Sequence, residues 1–167
     1  MASMGQTKET NIITPTAPKP IRRKSIKKCR EFPRITKKNH SVESDQNRRY
    51  NCIAYAAGVT HIKWWPIFHP DAFWPKDAPH SDGPSAFVKA FETLGYSLCE
   101  NGKYEEGKEK IAFYASQGGV KHAARQVGRS LWASKLGDLE DIHHEISAVA
   151  GGLYGEPSFF MVRPKKD

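Results

Sequence analysis

A chain of 167 residues is long enough to bury a core and is expected to fold as one domain. The net charge of +8 belongs to one end: residues 1–40 hold eleven Lys/Arg and two acids, and the remainder holds fifteen and sixteen. A strongly basic folded surface for nucleic acid is therefore not supported, and three cysteines make no paired disulfide framework.

Residues 1–45 read as a disordered, basic, proline-containing tail. Thr14-Pro15-Thr16-Ala17-Pro18-Lys19-Pro20 leads into the basic block Arg22-Arg23-Lys24-Ser25-Ile26-Lys27-Lys28-Cys29-Arg30. That block could meet a phosphate-rich or acidic partner, or serve as a solubilising linker. No hydrophobic signal core is present, and no apolar run approaches the ~18 residues that span a bilayer. Cytoplasmic synthesis is expected, with signal-less secretion as an effector the alternative.

The folded domain is expected over 46–167. Asn51 or a neighbour caps a helix from about Cys52 to Ala57, and Gly58 stops it. Residues 61–80 form an aromatic, proline-punctuated loop with Trp64, Trp65, Phe68, Phe73 and Trp74. Ser81 or Asp82 then caps a helix over about Pro84–Leu94, with Phe87, Phe91 and Leu94 on one face and Gly95 closing it.

Strand patterns follow at Tyr96–Cys99 and Glu109–Ala115. His122–Val127 and Leu131–Leu136 read as a hairpin about Gly128-Arg129. Asp138–Ala150 reads as an acidic helix stopped by Gly151-Gly152, and Ser158–Val162 as a last strand. The expected fold class is α+β: the Cys-bearing helix packs on an antiparallel sheet of four or five strands.

Cys52 and His122 carry the chemistry. A thiol at a helix N-terminus feels the positive end of the helix dipole, which favours the thiolate. A histidine on a facing strand can take the thiol proton and return it to a leaving group. The bland alternative is a cysteine acting as a small apolar core residue beside a buried or exposed histidine.

The order of YNCIAYAAG, an aromatic loop, GGVKHAARQ and LWASKLGDLEDI resembles the NlpC-like branch of the papain-like cysteine hydrolases. It also resembles an uncharacterised bacterial domain family associated with that fold. The resemblance covers about residues 50–163 and implies a papain-like domain in which Cys52 attacks an amide, ester or thioester of a peptide or acyl substrate. An acyl-enzyme would then be hydrolysed or transferred. A third polar residue should orient His122, and Ser134, Asp138 and Gln126 are the candidates. The Cys52 N–H, with Gln46 six residues upstream, would form the oxyanion hole. Trp65 and Trp74 are the candidates for a substrate wall.

Arg125 and Lys135 read as solvated strand positions; the alternative, a grip on a carboxylate, has no support in the sequence. No cofactor is expected, and His61, His69, His80 and His143-His144 match no compact zinc pattern. The chain is expected to be a monomer. The rival to catalysis is a non-catalytic binding module, with the tail and the aromatic loop as contact surfaces. A polar partner within hydrogen-bonding reach of His122 separates the two: without one, the binding reading gains.

Overall fold

Strand-forming sequence dominates the chain. The computed structural model describes residues 31–67 and 69–166. Within them the order is β1 (His40–Val42), α1 (Cys52–Ala56), β2 (Lys63–Trp64), β3 (Ala72–Phe73), α2 (Pro84–Glu92), β4 (Ser97–Cys99), β5 (Lys108–Ser116), β6 (Gly119–Gly128), β7 (Leu131–Lys135), β8 (Asp141–His144) and β9 (Glu156–Pro164). Seven strands form one antiparallel sheet in the order β1-β8-β7-β6-β5-β9-β4. β2 and β3 make a separate parallel pair.

This corrects the expected α+β, papain-like class with its Cys-bearing helix on four or five strands. The described residues are mostly β, and the helices among them are two small ones. The acidic segment 138–150, read as a helix, accounts for much of the difference. It contributes β8, paired with β7 on one side and β1 on the other. Ile142 is buried in the sheet, and cross-strand pairing of this kind overrides a segment's own helical leaning.

The stretch 31–45 was expected to be tail, yet it carries β1 and a buried Phe32 tilted against Tyr154 at 5.2 Å. A Cβ on Gly152 would overlap the Glu31 carbonyl, so a glycine lets this segment lie close. The proline-rich run and the basic block lie outside the described residues.

Both helices form where the sequence places them. Asn51 caps α1 by accepting the Ala54 N–H at 3.1 Å. Gly58, at φ +82°, ends it: the Gly58 N–H bonds the Tyr55 carbonyl and the Val59 N–H bonds that of Ala54. α2 starts at Gly83-Pro84 rather than on a Ser81 or Asp82 cap. The tight β5–β6 turn uses Gln117 and Gly118, both at positive φ, and the β6–β7 turn uses Ser130 at φ 55°.

The sheet has a core on each face. Ile111, Phe113 and Ala123 join α1, α2 and Trp64 in one; Ala112, Tyr114 and Ala124 join Trp132, Ile142 and Tyr154 in the other. Alternation along β5 and β6 produces this division, because successive side chains point to opposite faces.

Candidate functional site

Cys52 opens α1 and is 7 % exposed, packed in the first core. Burial pushes its thiol up to about 11, although backbone N–H groups of Ala123, Ile53 and Cys52 itself act against that. The charge of Lys135 acts in the same downward direction. Desolvation therefore outweighs the helix terminus, and the thiol is neutral at physiological pH.

His122 lies on β6 opposite Tyr114 and is fully buried. Its ring stacks flat on Tyr154 at 3.9 Å and meets Tyr114 edge-on at 5.3 Å. Both of those tyrosines belong to the second core, whereas Cys52 belongs to the first. Among the described residues neither His122 nitrogen has a hydrogen-bond partner. Burial, then the charge of nearby His144, lowers its pKa well below the ordinary histidine value. No hydrogen bond joins the Cys52 thiol to the His122 imidazole.

The expected orienting residues go elsewhere. Ser134 Oγ lies 2.7 Å from His144 Nε2, and His144 Nδ1 lies 2.6 Å from the Glu145 carbonyl oxygen. That oxygen can only accept, so Nδ1 carries the proton and Nε2 accepts from Ser134. Asp138 is exposed and pairs with Lys63 at 3.2 Å. Gln126 donates to the Gly102 carbonyl at 2.7 Å, and Gln46 is exposed on the chain before α1.

The aromatic loop is mostly core. Trp74 is 8 % exposed, donates to the Pro79 carbonyl at 3.0 Å, and packs edge-on to Phe87. Trp65 is half-buried against the same ring. Neither stands beside Cys52 as a free wall.

Lys135, read as solvated, is fully buried with Nζ 4.9 Å above the Tyr50 ring. It donates to the Leu139 carbonyl. Tyr50 in turn donates to Asp141 Oδ2 at 2.6 Å. The alternation of β7 and β8 was the missing signal here, since the second strand was read as helix.

An open cleft lies beyond the other end of α1. It holds about 270 Å³ and runs between Ala56-Gly58 and the ends of β5, β6 and β9. Lys108, Lys110, Arg125, Arg163 and Lys165 line it, against a single acid, Glu109. Arg163 is held by Glu109 at 2.7 Å and by the Leu94 carbonyl at 2.8 Å. Lys110 is held by Glu105 at 2.9 Å. Arg125 lies over the Tyr55 ring at 4.8 Å, and its buried Nε has no acceptor. Sequence reasoning marks Arg125 as a solvated hairpin position, with a carboxylate grip as the alternative that nothing in the spacing supports.

Among the described residues no helix is long and apolar enough to cross a membrane. Nor is any group of three His, Cys, Asp or Glu side chains among them placed to hold a metal ion.

Residues 41–162 match the family described as a domain of unknown function, DUF7689, and the chain belongs to that family. No curated protein and no solved structure matches it.

Proposed function

We propose that this member of the DUF7689 family is a non-catalytic binding module whose site is the cleft at the end of α1. One observation carries the reading: among the described residues neither nitrogen of His122 has a hydrogen-bond partner, so no polar group orients it and Cys52 does not bond to it. A hydrolase built on Cys52 and His122 would first have to open two cores and swing the imidazole off Tyr154. The cleft needs no rearrangement to admit a small group. Its concave shape, a few convergent polar groups and aromatic flanks are features of ligand sites.

The test is mapping of amide shifts on the full chain during titration with a mixed set of neutral, cationic and anionic aromatic fragments. Shifts grouped at Gly58, Gly107 and Val127 are the expected result, since these line the cleft. Shifts converging on Cys52, Ala123 and His122 would move the site to the thiol and return the hydrolase reading to the front.

A further inference from the structure

We infer that the cleft takes a carboxylate, with the Arg125 guanidinium as its seat; this rests on the binding reading above and names the chemistry of the ligand. Five cationic side chains line the cleft, and two are already neutralised, Arg163 by Glu109 and Lys110 by Glu105. Among the described residues Arg125 makes no ion pair, and its Nε is buried without an acceptor. Nε itself is closed off from the cleft, so a carboxylate there would pair with the outer N–H groups of the guanidinium.

The guanidinium is also preorganised. Its plane rests near the Tyr55 ring at 4.8 Å, so little side-chain freedom remains to be lost on binding. Lys108 and Lys165 at the cleft edge are exposed and raise the local positive potential.

Three of the lining cations, Lys108, Arg125 and Lys165, make no ion pair among the described residues, against the one lining acid, Glu109, so the cleft favours an anion. A flat carboxylate matches a guanidinium fork through two parallel N–H···O bonds. Beside the fork, Tyr96, Tyr104 and Val127 present apolar surface, which fits a carboxylate on an aryl or short aliphatic group.

The experiment titrates the full chain with benzoate, benzamide, benzamidine and phenyl phosphate, following backbone amides and the arginine Nε–H resonances. Benzoate is expected to bind saturably in the cleft, to shift the Arg125 Nε–H, and to weaken about tenfold or more in Arg125→Gln, the scale of a charge-assisted hydrogen bond. Val127→Asp, a change at an exposed strand position, takes apolar surface from both ligands but adds a charge that repels only benzoate, so it should weaken benzoate more than benzamide, which keeps the test alive if Arg125→Gln does not fold. Benzamide or benzamidine binding in the cleft without benzoate would leave the binding reading standing and overturn the carboxylate. Phenyl phosphate binding more tightly than benzoate would overturn it too, as would benzoate binding indifferent to both substitutions. Silence from all four probes would defeat both readings.

Discussion

His122 lies flat on Tyr154, their ring centroids 3.9 Å apart and their planes 7° from parallel. The contact makes His122 a packing ring whose polarity is a liability, because both nitrogens are buried and unpaired. His122→Phe keeps the shape and removes the unpaired groups. It is expected to leave stability unchanged or raise it by about 1 kcal/mol, measured by urea unfolding at pH 7. A loss of more than about 2 kcal/mol would show that the nitrogens have partners in solution.

Acid should weaken the fold through the same face of the sheet. Burial lowers the His144 pKa to about 4, against ~6.5 in an unfolded chain. The unfolded state therefore takes up the proton first as pH falls. The contribution is whole above ~6.5 and is lost on descent towards 4, on the order of 3 kcal/mol across the window. His122, lowered in the same direction by burial and by His144, extends the loss to lower pH. Unfolding midpoints at pH 7, 5.5 and 4.5 should fall less steeply in His144→Gln than in the parent; equal slopes would contradict this.

Tyr50 donates to a carboxylate that has no other side-chain donor at its second oxygen, since Asp141 Oδ1 is unpaired. Tyr50→Phe should cost about 1–3 kcal/mol by leaving Asp141 buried and less satisfied. Urea unfolding would measure it. A cost near zero would mean that water reaches Asp141.

Asn51 holds two elements at once: its Oδ1 accepts from the Ala54 and Trp64 N–H groups, and its Nδ2 donates to the Trp64 carbonyl at 2.8 Å. Asn51→Ala should lose at least the ~1 kcal/mol of a helix cap and shift tryptophan fluorescence as Trp64 loosens. Asn51→Asp, which keeps the acceptor, should recover most of the cap.

How far the sequence reveals this fold depends on the range of the interactions. Asn51, Gly58, Pro84 and Gly95 act within a few residues, so both helices are legible. So are the long strands with β-branched and aromatic residues, from Lys108 to Leu136. The segment 138–150 is not, because its strand exists only through pairing with β7 and with β1, which ends at Val42, far earlier in the chain. That one misreading hides the burial of Lys135, the Ser134–His144 bond and the Tyr50–Asp141 bond. Cys52 and His122 are found by spacing alone, which cannot tell to which face of a sheet a strand residue turns. Arg125 is read as a solvated position for a related reason: its lack of an ion-pair partner is a fact of three dimensions.

The most direct measurement is the alkylation rate of Cys52 by iodoacetamide against pH, in a Cys29→Ser background with Cys99 as the internal reference. With Cys52 buried and its thiol raised to about 11, the native protein should alkylate there more slowly than at half-exposed Cys99, with no change in His122→Phe. Rapid alkylation persisting well below the ordinary thiol value of ~8.5, and lost in His122→Phe, would establish an activated Cys–His pair and contradict the binding reading.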